Sequence, residues 1–84
     1  MIEIKFNKEK KESIAYDNDV KIGECSYIES GDTWNIVHTE VNKSHQGQGI
    51  ARKLVESVIE NANKYNKSII AECSYARKII DEKK

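Results

Sequence analysis

The chain has 84 residues and balances 14 basic against 14 acidic side chains, so a general electrostatic grip on nucleic acid or on an anionic membrane is not expected. At this length folding buries only about 60% of the surface of the unfolded chain, room for one small core. With no proline, no repeat and no low-complexity linker, residues 1–84 read as a single domain. Ile2, Ile4 and Phe6 alternate with Glu3 and Lys5, the period of a half-buried strand. Polar residues 7–11 form a turn, and a second strand over about 12–16 puts Ile14 and Tyr16 on one face. Asp17-Asn18-Asp19 is a hairpin connection, because these side chains tolerate turn dihedrals and bond their own backbone. A third strand runs over about 20–28, with Gly23 marking a bulge. Ser30-Gly31-Asp32 turns the chain into a fourth strand over 33–41, with Trp34, Ile36, His38 and Glu40 facing one way.

After Gly49 the period changes from two to about 3.6. Ile50, Leu54, Val58, Ala62 and Tyr65 form a stripe widened by Ala51, Val55 and Ile59, while Arg52, Lys53, Glu56, Glu60 and Lys64 take the other angles. The helix ends near Tyr65, where Asn66 can adopt the left-handed conformation that closes it. Residues 68–73 read as a fifth strand and 75–82 as a short terminal helix. Strand, helix and strand in succession imply a right-handed crossover, so the fifth strand lies parallel to the fourth. The class is α+β, an antiparallel meander of four strands extended into a mixed sheet.

Between the fourth strand and the helix stands Gln46-Gly47-Gln48-Gly49-Ile50-Ala51. A helix start leaves about four N–H groups without intrahelical partners and carries partial positive charge. Glycines let the backbone approach a ligand closely, and Arg52 and Lys53 add mobile positive charge just beyond. The combination reads either as an anion cradle suited to phosphate or as a glycine-rich connection that only turns the chain. It matches neither the P-loop nor the dinucleotide-binding glycine spacing. Cys25 and Cys73 match no zinc spacing, imply no metal site, and read as free thiols rather than a disulfide. The chain has no secretory h-region and no apolar run long enough for a membrane span, which makes the cytoplasm the expected compartment.

The pattern Q-x-x-G-x-A after a strand and at the start of a long amphipathic helix resembles the acetyl-CoA signature of the GNAT N-acetyltransferase superfamily. In size and in the arrangement "HTEV…HQGQGIARKL…AECSYARKI" the chain is most similar to the short, stand-alone acetyl-CoA-binding GNAT-like proteins. The resemblance covers roughly residues 12–80, with its specific part in 38–53. It implies that the amides of Gln48, Gly49, Ala51 and Arg52 hold the pyrophosphate of acetyl-CoA, with Gln46 and Gly47 shaping the loop and Lys53 adding charge. It implies too that Val41 and its neighbours pair with the pantetheine arm. The thioester then lies in a gap between the fourth and fifth strands, with Thr39, Glu40 and Val41 on one side and Cys73 to Tyr75 on the other.

Acetyl transfer to an amine needs a deprotonated nucleophile, a polarised carbonyl and a proton for the departing thiolate. Glu40 is the candidate general base, set against the alternative of an exposed strand-end carboxylate. His38, on the same expected face, could relay a proton or be an ordinary half-buried strand histidine. A backbone N–H near Thr39 to Val41 would polarise the carbonyl. Tyr75 is the candidate acid, although the family tyrosine usually lies further along the last helix. Cys73 could be acetylated or simply buried. His45 reads equally as a phosphate contact or a solvated loop residue.

One departure bears on function. Typical relatives place helices between their first two strands and further strands after the last helix, and these build the acceptor pocket. Here only residues 7–11 join the first strands and residues 74–84 follow Cys73. The expected protein is an acetyl-CoA-dependent N-acetyltransferase with an open site for an amine such as a protein lysine or amino terminus, acting as a monomer or weak homodimer. The alternatives are an acetyl-CoA-binding protein without efficient transfer, and a small interaction domain.

Overall fold

The period-2 pattern of Ile2, Ile4 and Phe6 becomes strand β1 (Ile2–Asn7), which pairs antiparallel with β2 (Glu12–Asp17). The structure, a computed structural model, describes residues 1–83. Strands β3 (Val20–Ser30) and β4 (Thr33–Val41) extend the antiparallel meander. A 3-10 turn over Lys43–His45 leads to helix α1 (Ile50–Lys64), which crosses to β5 (Ser68–Ala71) and on to α2 (Ser74–Glu82). The sheet order is β1-β2-β3-β4-β5, with β5 parallel to β4, as the strand–helix–strand succession requires.

The tight connections follow their residue chemistry. Asn18 and Asp19 both take positive φ, 50° and 71°, between the paired ends Asp17 and Val20. This is the geometry that matches the right-handed twist of a hairpin. Asn66 closes α1 with φ 58°. There the Lys67 amide donates to the Ala62 carbonyl (2.8 Å) and the Asn66 amide to Asn63 (3.1 Å), which satisfies two of the helix's last carbonyls. The Ser68 amide then reaches the Asp32 carbonyl at 2.8 Å and starts β5.

Both helices pack on one face of the sheet. Leu54, Val55 and Val58 of α1 and Ile79 of α2 are fully buried against Trp34 and Ile36 of β4. Ser13 is the buried polar exception, its hydroxyl donating to the Leu54 carbonyl at 2.8 Å. At the end of the sheet where β4 begins, Tyr27 stacks on Trp34 (4.2 Å between centroids) and Phe6 on Trp34 (5.8 Å). Such contacts add about 0.5–1.5 kcal/mol each beyond area burial. The opposite face carries no helix among the described residues, and Ile28 and Ile70 stand exposed across Asn35 in the strand register.

Two bulges shape the meander. Between β2 and β3 the pairing steps from Ala15–Gly23 to Tyr16–Lys21, so the extra residue is Ile22, beside the glycine expected to mark it. Between β3 and β4 it steps from Ser26–His38 to Tyr27–Ile36, which leaves Val37 as the extra residue. This second bulge overturns the single face expected for Trp34, Ile36, His38 and Glu40. Trp34 and Ile36 are buried under the helices, whereas His38 and Glu40 are exposed on the other side. Beyond the bulge it is Thr39 and Val41 that turn towards the core. Strand β5 also ends two residues sooner than expected, because Cys73 is already the N-cap of α2.

Gly23 pairs with Val41 where β3 has no room for a side chain. A Cβ there would sit 2.8 Å from the Glu40 carbonyl oxygen and within 3.3 Å of Val41 and Leu54 side-chain atoms. Gly23→Ala is expected to cost about 1–3 kcal/mol through overpacking. That corresponds to a fall in thermal midpoint on the order of 10 °C. A midpoint unchanged in the melt would contradict the close approach.

Candidate functional site

The ladder between β4 and β5 stops at Ile36. Its carbonyl accepts the amides of Glu72 (3.0 Å) and Cys73 (3.4 Å), and the last paired residues are Ile36 and Ala71. Beyond that point residues 37–41 of β4 run on with no strand on that side, opposite the start of α2. The gap is bridged by sulfur and hydroxyl groups: the Cys73 thiol lies 3.9 Å from the Thr39 hydroxyl, which donates to Cys25 Sγ at 3.5 Å. Burial pushes the Cys25 thiol up to about 11, against the opposing effect of the Thr39 hydrogen bond.

The turn that follows β4 is tied at several points. The Asn42 amide donates to the Ile22 carbonyl (2.8 Å), and Gln46 Nε2 to the Val41 carbonyl (3.2 Å). His45 Nε2 meets Asp17 Oδ2 at 2.8 Å, and its Nδ1 meets Ser44 Oγ at 2.9 Å. Asp17 is held below its ordinary carboxylate value, first by His45 and then by the Met1 ammonium at 3.1 Å.

Gly47 and Gly49 then take φ 84° and 77°, and a Cβ on either would meet nothing within 4 Å. The left-handed conformation is open to glycine at little cost, and alternating it with ordinary residues turns successive amides into one concavity. The amides of residues 47–52 have no hydrogen-bond partner among the described residues, while Lys53 bonds the Gly49 carbonyl at 3.2 Å. No acidic side chain stands in the first turn of α1 to oppose an anion. A cleft of about 350 Å³ opens here, lined by Val41, His45, Gln46, Gly47, Gly49, Ile50, Ala51 and Tyr75.

The structure thus brings Val41, the glycine turn, Ala51 and Tyr75 to one cleft, with Gln48 in the same turn. Thr39 and Cys73 lie in the strand gap but not on the cleft wall. Other expected residues fall elsewhere. The Arg52 side chain is not mobile charge: it donates to Glu82 (2.7 Å) and Glu56 (3.3 Å), which ties α1 to α2 and raises its own basicity. Lys53 lines a different depression, with Ile4 and Glu60. His38 and Glu40 lie 3.8 Å apart on the open face, with side chains 51% and 70% exposed, and do not line the cleft. Asp17 and Glu82 carry no signal in the sequence, because the partners they hold are 28 and 30 residues away.

Residues 12–84 match the family model described as GCN5-related N-acetyl-transferase. The chain belongs to this family. A GCN5-like candidate N-acetyltransferase from Staphylococcus aureus, known from a solution structure, is 31% identical with a TM-score of 0.72, over 96% of this chain and 79% of that one. The ribosomal-protein-S18-alanine N-acetyltransferase of Escherichia coli shares the fold (TM-score 0.72, 16% identity), with 84% of this chain covering 49% of that one. Diaminobutyrate acetyltransferase from Paenibacillus lautus, solved with L-2,4-diaminobutyric acid and coenzyme A, is 24% identical with a TM-score of 0.54. That match covers 60% of this chain and 32% of the longer enzyme. No curated protein matches the sequence. No helix among the described residues is long and apolar enough to cross a membrane.

The contrast between the two thiols is directly testable in this GCN5-related chain. Cys73 is half-buried at the gap, and Cys25 fully buried behind Thr39. Iodoacetamide near about pH 8 should alkylate Cys73 first, with Cys25 modified only as the chain unfolds. Peptide mapping by mass spectrometry that found equal rates would contradict this placement.

Proposed function

We propose that the chain is an acetyl-CoA-dependent N-acetyltransferase with an open acceptor site, a single domain whose acceptor is an amine on a large partner such as a protein lysine or amino terminus. The observation that carries this reading is the meeting, in one cleft, of the unpaired end of β4 with a run of partnerless amides. The site fits the cofactor: the amides are free, and the space above Gly47 and Gly49 is open. The amides of Gln48, Gly49, Ala51 and Arg52 would hold the pyrophosphate, Gln46 would brace the turn through the Val41 carbonyl, and the edge at Val41 would take the pantetheine arm. When bound, acetyl-CoA supplies an acyl group activated as a thioester.

The chain's own residues would do the rest. A backbone N–H between Thr39 and Val41 would polarise the carbonyl. Tyr75, 43% exposed and lining the cleft, could place its hydroxyl proton near a departing thiolate. Glu40, with His38 at 3.8 Å, would take the proton of an amine arriving over the open sheet face. The two unpaired thiols suit a reducing cytoplasm. Monomer or weak homodimer is the assembly that goes with this reading. A second reading, acetyl-CoA binding without efficient transfer, is favoured by the position of His38 and Glu40 outside the cleft walls.

A thermal melt tests the cofactor first. Acetyl-CoA at about a hundred times its dissociation constant should add roughly 2.7 kcal/mol. That is a rise on the order of 10 °C, with little from ATP. No rise would remove both readings and leave an interaction domain. Gly49→Ala should weaken acetyl-CoA binding by roughly ten-fold or more, because it adds a side chain at a left-handed position facing the ligand space. Undiminished affinity in titration would sink the cradle. Glu40→Gln should lower turnover on a lysine peptide by about 10²-fold or more with affinity for acetyl-CoA unchanged. Unaltered turnover would exclude Glu40 as base.

A further inference from the structure

We infer that His45 is a positioning residue for the glycine turn, and that it acts through Asp17 at the β2–β3 hairpin. The inference rests on the acetyl-CoA reading above and deepens it. Among the described residues, three contacts tie the turn to strands outside it. Asn42 is anchored by its amide at the turn's first residue, and Gln46 reaches back only five positions to Val41. Among the described residues, His45 alone fastens the middle of the turn to a distant strand end, through the 2.8 Å contact with Asp17 Oδ2. Asp17 ends β2 and is paired in register with Val20, so the hairpin is a stiff anchor.

Both nitrogens of the ring are engaged, Nε2 by Asp17 and Nδ1 by Ser44 Oγ at 2.9 Å, which fixes its plane as well as its place. A carboxylate only accepts, so Nε2 donates to Asp17, and in the neutral ring the Ser44 hydroxyl then donates to Nδ1. The side chain is 20% exposed and forms part of the cleft wall beside Gln46 and Gly47. Glycines at 47 and 49 permit the amide concavity, but they also permit many other conformations and lose most entropy on being ordered. Fixing His45, two residues before Gly47, lowers that cost before the ligand arrives, which is how preorganisation gains affinity.

Two features separate positioning from direct contact. A positioning role makes Asp17 and His45 act as one unit, so their substitutions should not multiply. It also confines the effect to the part of the ligand that the turn holds. The experiment is calorimetric titration of coenzyme A into the wild-type protein, His45→Ala, Asp17→Ala and the double variant, with acetyl-pantetheine followed by amide chemical shifts as the probe lacking the pyrophosphate. His45→Ala and Asp17→Ala should each weaken coenzyme A binding by roughly ten-fold, with the double variant no weaker than either single one. Acetyl-pantetheine binding should be unchanged in all, which also reports that the variants are folded. His45→Gln, which keeps an N–H donor in reach of Asp17, should recover most of the affinity.

Wild-type affinity in His45→Ala would overturn the inference. So would losses that multiply in the double variant, because they would make His45 an independent ligand contact. Failure of the wild-type protein itself to bind coenzyme A would instead remove the acetyl-CoA reading and this inference with it.

Discussion

The carbonyl of Ile36 is the point on which the site depends. It accepts the last two amides that β5 and its exit can offer, from Glu72 and Cys73, and β4 then continues alone. The parting has a cause on each side. After Ala71 the chain turns into α2, which buries Ala76, Ile79 and Ile80 with the helix α1 rather than extending the sheet. On β4 the bulge at Val37 falls one residue beyond Ile36 and re-aims everything after it. Neither cause alone would leave a strand edge that is both unpaired and beside the start of α1.

Electrostatics at the turn follows from the same economy. The chain has no net charge, and of the two cations in the first turn of α1, Arg52 is already held by Glu82 and Glu56 while Lys53 lines a different depression. What the turn presents is therefore backbone: partnerless amides, a helix dipole and no acid to oppose them. Fixed dipoles need no ordering of long side chains and act at short range. An anion held in this way gains little from distant steering, so its binding should depend less on salt than a site built from mobile lysines.

The sequence made the elements legible because each rests on local chemistry. The 3.6-residue stripe from Ile50 to Ala62 is buried along α1, Asn66 takes the left-handed closure, and the Asn18-Asp19 hairpin has the dihedrals those residues tolerate. The glycine turn was legible for the same reason. The misses all required knowledge of a second segment. Whether Glu40 faces the core depends on how β4 pairs with β3, since one extra residue at Val37 reverses its side. Arg52 reads as a free cation until α2 brings Glu82 within 2.7 Å. His45 reads equally as a phosphate contact or a solvated loop residue, and its tie to Asp17 emerges only when the hairpin supplies that carboxylate. Periodicity fixes what a segment is, but not which partner will meet it.

The open face of the sheet carries the remaining consequence. With residues 8–11 only turning the chain between β1 and β2, no helix covers that face among the described residues, and Ile28 and Ile70 stand exposed beside the strand that bears His38 and Glu40. A small free amine would find few contacts there, and without contacts little of the entropy of orienting it could be offset. On the proposed reading the missing walls must come with the acceptor. An amine displayed on a folded or extended partner can bury its own surroundings against the exposed isoleucines and so be oriented without a pocket. On that reading the short β1–β2 connection, which leaves this sheet face uncovered, makes a macromolecular acceptor the one the geometry serves best.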